Sequence, residues 1–343
     1  MEALFRTKNF IDYSIDDWSN LLVNFDSTIN YTAWFLNYVE ILNASSEIKN
    51  HTFVLYDENN PIAIVPLYVE KINNKLQISM GQEPIYAPIF NKNISNNGRY
   101  FKYLIEKIDD IAMKNRCLLA RFHFSPLLNY HLLAIQYLKS GYVDDIFYPN
   151  WYIFKSKFCF VLNLANSKDA LFKGIRKGHR SNIRQTKKIA SLIVIDKNSF
   201  NEDVFNRYIL LYYEVKGKKR SSAAFKLDSI AIKSGLQFVI ICEYDNEFIG
   251  AIAFHIHNNK ARYNSSVQLY NINLRIHPTH FLLWSGIEYL KDKNYEFLEI
   301  GEQVIENEKY IVSSKEKNLS HFKSGWGCDL ISSIKIQKEF KNV

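Results

Sequence analysis

No stretch of this chain approaches about 18 consecutive apolar residues, so the sequence holds no candidate membrane-spanning helix. Its first residues, MEALFRTKNFIDYS, carry a glutamate at the second position and no apolar core. No secretory signal is therefore expected, and the protein is expected to be cytoplasmic. Cysteine is scarce: Cys117, Cys159, Cys242 and Cys328 stand far apart among apolar neighbours, which predicts reduced, buried thiols. No Cys-x-x-Cys pair suggests a zinc or redox site. The sequence also has no G-x-S-x-G elbow and no cysteine–histidine pairing, so an acyl-enzyme on serine or cysteine is not expected. His255 and His257 share one face of a strand but lack further ligands at supporting spacing, so no metal is expected either.

The 343 residues are 47% apolar and 15% aromatic, enough for two domains with real cores. The net charge of +8 favours an anionic partner without naming it. The charge is concentrated. FKGIRKGHRSNIRQTKKIA, from Phe172 to Ala190, holds seven basic residues and no acidic one. It predicts a helix over 167–190, capped by Asn166 or Ser167, with Leu171, Ile175, Ile183 and Ala190 forming an apolar stripe. Two readings stay open: a solvated linker helix, or a phosphate-binding surface carried by Arg176, Arg180 and Arg184. His179, among the arginines, reads as a surface residue. With no DNA-binding module beside this helix, DNA is not an expected partner.

The chain also repeats itself. FVLYDENNPIAIVPLYVEKINNKLQIS, from Phe53, parallels VIICEYDNEFIGAIAFHIHNNKARYNSS, from Val239. Tyr56-Asp57 matches Tyr244-Asp245, and Asn73-Asn74-Lys75 matches Asn258-Asn259-Lys260. Each segment predicts a three-stranded antiparallel meander. Helix-rich stretches precede both (Ile15 to Leu42, Phe200 to Ser234). A helix and then a strand follow both, over Asn97 to Lys114 and Cys117 to Phe124, and over Pro278 to Lys293 and Phe297 to Ile300. Two α/β (α+β) units are expected, 1–155 and 156–343, each a mostly antiparallel mixed sheet flanked by helices.

Four segments carry a family resemblance. They are IAIVPLYVE with GQEPIYAPIF (Ile62–Glu70, Gly81–Phe90), FCFVLNLANSKDALFKGIRKGHRSNIRQTKK (Phe158–Lys188), ARYNSSVQLYNINLRIHPTHFLLWSGIEYLKDKNYEFLEIG (Ala261–Gly301) and HFKSGWG (His321–Gly327). In this order and spacing the chain resembles the tandem-GNAT family of Fem-type peptidyltransferases and BioF2-like acetyltransferases. The resemblance implies two tandem GNAT-like units without a coiled-coil arm, since no heptad run is present. It departs from the family where Glu299 stands for an aspartate and Gly301-Glu302 for a glycine pair. The GNAT pyrophosphate loop is unmatched, RKGHR being the nearest approach.

The resemblance implies transfer of an aminoacyl or acyl group to an amine of a cell-envelope precursor, such as a peptidoglycan stem peptide or an amino sugar. Aminoacyl-tRNA is the leading donor and acetyl-CoA the alternative, each as a co-substrate, with no bound cofactor. A non-catalytic tandem GNAT that binds a nucleotide or RNA is a second alternative. Phe322 and Lys323 match the family's Phe-Lys pair, placed to stabilise a tetrahedral oxyanion or to grip the donor's 3′ end. The general base is sought among Glu302, Glu299, His280 and His321, with Glu302 put forward. Arg220, closing the basic run KGKKR, is assigned to acceptor phosphates, and Tyr263 and Ser265 to substrate contact. Peripheral membrane contact and oligomeric state are left open.

Overall fold

The computed structural model describes residues 5–43, 47–93, 98–129, 131, 152–217, 220–269, 276–304 and 312–340. The chain forms two compact units, Met1–Lys157 with Ser332–Val343, and Phe158–Ile331. The last strand thus returns to the first unit, whereas the sequence was divided at 155.

In the first unit, helices α1 (Ile15–Leu22) and α2 (Ala33–Leu42) start on side-chain caps, Ser14 accepting from the Asp17 N–H and Thr32 from that of Phe35. One antiparallel sheet runs β1 (Phe5–Asn9), β3 (Phe53–Asp57), β4 (Asn60–Val65), β8 (Ile89–Phe90). A second runs β16 (Asp329–Glu339), β9 (Leu119–Phe124), β6 (Lys75–Ile78), β5 (Tyr68–Ile72), β2 (Ile48–Asn50), with β7 (Ile85–Tyr86) also on β9. Helix α3 (Gly98–Lys114) buries Phe101, Leu104, Ile105 and Ile108 in the core of this unit. The expected single middle strand of the first meander is broken. Pro66-Leu67 separates β4 from β5, and the two lie in different sheets, because Pro66 has no N–H to continue a ladder.

The second unit keeps its meander whole. Its sheet runs β11 (Ser191–Ile195), β12 (Gln237–Tyr244), β13 (Glu247–His257), β14 (Lys260–Gln268), β15 (Phe297–Glu302), β10 (Tyr152–Asn163). Both units turn on the repeated Asn-Asn. Asn73 and Asn74, and Asn258 and Asn259, all have positive φ, the conformation that closes a two-residue hairpin with the twist of its strands. Helices α6 (Glu202–Lys216), α7 (Ser222–Lys233) and α8 (Pro278–Asp292) complete the layers. Phe281, Trp284, Ile287 and Leu290 recur at helical spacing on α8 and are buried.

The basic stretch is two helices. α4 (Lys168–Gly174) is capped by Ser167, and α5 (Lys177–Lys187) follows after Ile175 and Arg176 adopt extended backbone. HFKSGWG ends a helix: α9 spans Ser314–Ser324 and opens on a capping box between Ser313 and Glu316. No described helix is long and apolar enough to cross a membrane.

Candidate active site

In the second unit β14 and β15 run parallel and pair only at Lys260–Phe297, Ala261–Leu298 and Arg262–Glu299. Beyond that point they part. Each strand is bulged there. Asn264 is the extra residue between Tyr263 and Ser265, which pair with Phe254 and Ala253; Ile300 is the extra residue between Glu299 and Gly301, which pair with Val161 and Phe160. A bulge bends its strand and re-aims the side chains. The first unit closes the equivalent gap. There β6 pairs with β9 at Gln77–Leu119 and Ile78–Ala120, and β7 resumes at Ile85–Phe122 and Tyr86–His123. The buried Glu70 carboxylate holds the intervening turn, accepting from Ser79 Oγ and from the Gly81 and Gln82 N–H groups at 2.8 and 2.9 Å.

The parted strands of the second unit open a cleft of about 590 Å³. Tyr263 and Ser265 line it from β14, His277 and His280 from the start of α8, and Phe322 and Lys323 from α9. Five of the residues put forward from sequence, Tyr263, Ser265, His280, Phe322 and Lys323, therefore meet here. Lys216 and Lys315 line it as well, and among the described residues no carboxylate does. Three cationic side chains without a carboxylate suit a ligand that presents negative charge.

Lys323 lies against Gly301 of β15. Gly301 has φ +120°, and a Cβ built on it would lie 2.5 Å from Lys323 Nζ. The amine thus occupies the space that any other residue at 301 would fill. Burial lowers the Lys323 pKa, against the opposing pull of Glu299, Cys159 and Glu302, and Arg262 adds to the depression. Glu302 sits opposite Cys159 at the end of β15 and acts on Lys323 through its charge; it is not part of the cleft wall. Glu299 is buried and ion-paired with Arg262 Nε at 3.6 Å. Of the four general-base candidates, only His280 lines the cleft. Burial drives its pKa down to about 3, so at neutral pH its imidazole is uncharged, with one ring nitrogen able to accept a hydrogen bond.

The Gly-Trp-Gly end of the HFKSGWG motif clasps the junction of α4 and α5. The Arg176 N–H donates to the Gly325 carbonyl at 2.8 Å. The Arg176 guanidinium reaches His321 Nε2 at 2.5 Å and Ser324 Oγ at 3.0 Å. A Cβ on Gly325 would sit 2.6 Å from the His179 ring. His179 is therefore no surface residue. It is 6% exposed, and its ring packs on His280, Phe322 and Trp326 at centroid distances of 4.6, 5.3 and 5.3 Å. Its position beside Gly325 was hidden from sequence, because the polar neighbours of His179 describe the outer face of α5 and say nothing of the inner one.

The other arginines lie elsewhere. Arg180 donates to the Lys173 carbonyl at 2.9 Å, and Arg184 stacks on Phe172 at 5.2 Å. Arg220 is ion-paired at 2.7 Å with Asp228, which is fully buried and whose pKa rises to about 6 through burial. None of the three is part of the cleft wall. From KGKKR it is Lys216 that reaches the cleft; Lys218 and Lys219 lie outside the described residues. Tyr212, Gln268 and Thr279, also on the wall, were missed. Thr279 Oγ1 donates to Gln268 Oε1 at 2.6 Å across the cleft's edge, a contact that no spacing in the sequence signals.

Acid should loosen this unit. Burial holds His179 and His255 at about 4 and about 3, below the ordinary 6.5. The unfolded chain takes up both protons below about pH 6.5, while the fold resists until its own lower values. Stability is then complete above pH 6.5 and falls as pH drops toward 4, by ~1.4 kcal/mol per pH unit for each imidazole. Urea midpoints measured at pH 7 and pH 5 should show the loss, and His179→Phe should shrink it.

No protein-family model matches this sequence, and no curated protein matches it. Solved structures do. The chain is similar to FemX, with a TM-score of 0.69 at 11% identity over 98% of this chain and 97% of that one. It is similar to L-PGS from Bacillus licheniformis, with a TM-score of 0.61 at 11% identity over 96% and 93%. A third is the C-terminal domain (DUF2156) of a putative lysylphosphatidylglycerol synthetase from Agrobacterium fabrum, at 0.56 and 10% identity over 95% and 92%. The chain has the fold of these proteins over nearly its whole length.

Proposed function

We propose that the protein is an N-acyltransferase that forms an amide on an amino group of a cell-envelope precursor, a peptidoglycan stem peptide or an amino sugar, with aminoacyl-tRNA as donor. The observation that carries this reading is Lys323. The family resemblance singles out Phe322-Lys323, and both side chains stand on the wall of the cleft where β14 and β15 part. In the reaction the acceptor's amine lone pair attacks the donor's ester carbonyl. The carbon–oxygen bond to the ribose breaks, and the amine's proton ends on the departing 3′ hydroxyl. The Lys323 ammonium, in a desolvated setting, stabilises the oxyanion that forms between these steps. Neutral His280 accepts from the attacking amine and orients it.

The start of α8 favours RNA over CoA as donor. A pyrophosphate at a helix N-terminus needs free backbone N–H groups. Here the His277 N–H is taken by Thr186 Oγ1 at 3.0 Å, Pro278 has none, and the run Leu269 to His277 contains no glycine. The test is a pair of binding measurements on the whole chain. With CoA or acetyl-CoA at about 1 mM the melting temperature should stay put, whereas a ligand at 100 times its Kd adds about 2.7 kcal/mol. Bulk tRNA should bind, more weakly as salt rises. A clear CoA shift without tRNA binding would transfer the assignment to an acyl-CoA enzyme.

A further inference from the structure

We infer that the outer face of α4 and α5 is the surface on which the RNA backbone of the donor lies, a role that rests on the tRNA-dependent reading. The seven cations between Lys173 and Lys188 are exposed, save the half-buried Arg180. Among the described residues none of them forms an ion pair with a carboxylate. Arg180 and Arg184 are like charges four residues apart within α5, the spacing that brings side chains together on a helix. A merely solvated helix interleaves both signs; a single-sign face suits a polyanion.

The surface adjoins the cleft. His179, on the inner side of α5, touches His280 and Phe322 of the cleft wall, and Arg176 is fastened to α9 through His321 and Ser324. A polyanion on this face has its end beside Phe322 and Lys323, where an acyl group esterified to a 3′ terminus would react. RNA fits better than an anionic membrane. An interfacial helix sets large apolar residues beside its charges. Here Leu171, Ile175 and Ile183 are buried within the unit, and Ile189, at 49% exposure, is the one large aliphatic exposed along this stretch.

The experiment uses the full chain and deacylated bulk tRNA, with affinity read by filter binding between 50 and 300 mM KCl. K177Q/R184Q/K187Q removes three exposed cations, and K177Q/K187Q removes two should the triple variant fail to fold. K197Q/K226Q/K293Q removes three lysines elsewhere on the same unit. Each lost phosphate contact lowers the salt slope by roughly 0.7 to 0.9. The triple variant should therefore lose about two units of slope and about tenfold or more in affinity at 100 mM, the double proportionally less, and the control nothing. Unchanged binding by the triple variant, with wild-type tRNA binding intact, overturns the docking surface and leaves the donor reading standing. No tRNA binding by the wild type overturns both. Tighter binding to phosphatidylglycerol vesicles than to tRNA, abolished in the triple variant, overturns RNA in favour of a membrane.

Discussion

Replacing Lys323 by methionine should slow amide formation by about 100-fold or more while leaving the melting temperature unchanged or raised. The two halves of this expectation have one cause. The ammonium of Lys323 has given up water in exchange for a place above Gly301, and its pKa is lowered as a result. Methionine keeps the length and apolar stem without the half-buried charge, so the fold loses no packing. The reaction loses its oxyanion partner. Arginine should not restore the rate, because its larger, planar head cannot occupy the space above Gly301 that the lysine amine fills. The rate is read with charged tRNA and a stem pentapeptide bearing a free lysine amine, and the melt by calorimetry. A rate that holds while the melting temperature falls would make Lys323 a structural residue.

Much of this architecture could be read before any coordinates, because it is written in local chemistry. The paired Asn-Asn turns needed positive φ, and asparagine tolerates it. Ser167 was a recognisable cap, and the apolar stripe of α8 has helical period. The failures are of another kind. Pro66 breaks a strand that periodicity made continuous, since alternation of apolar residues ignores a missing donor. Ile175 leaves the helix between α4 and α5 although it fits the apolar stripe, because the Arg176 N–H is drawn to the Gly325 carbonyl, 149 residues along the chain. The cleft itself had no local signature. It exists because β14 and β15 stop pairing after Arg262 and Glu299, and a strand's own residues do not record where its neighbour departs. The Phe-Lys pair was found through family resemblance; its partner Gly301 was noted in sequence only as half of a glycine pair that had drifted.

Gly301 is where that partnership can be separated from backbone strain. Gly301→Ala should destabilise the chain by about 1–3 kcal/mol and cut the transfer rate nearly as far as the loss of Lys323 does. Two costs act at once. At φ +120° an L residue is strained wherever it has room. The new methyl would also stand 2.5 Å from Lys323 Nζ, so the amine must leave. A double-mutant cycle with Lys323→Ala divides them. In G301A/K323A the methyl has space, and only the backbone strain persists in the denaturation midpoint. The rate of the double variant should match that of K323A alone, because the catalytic loss in G301A is the displacement of an amine that K323A has already removed. Additive rate losses would mean instead that Gly301 acts through the shape of β15, and that the amine's seat above it is incidental.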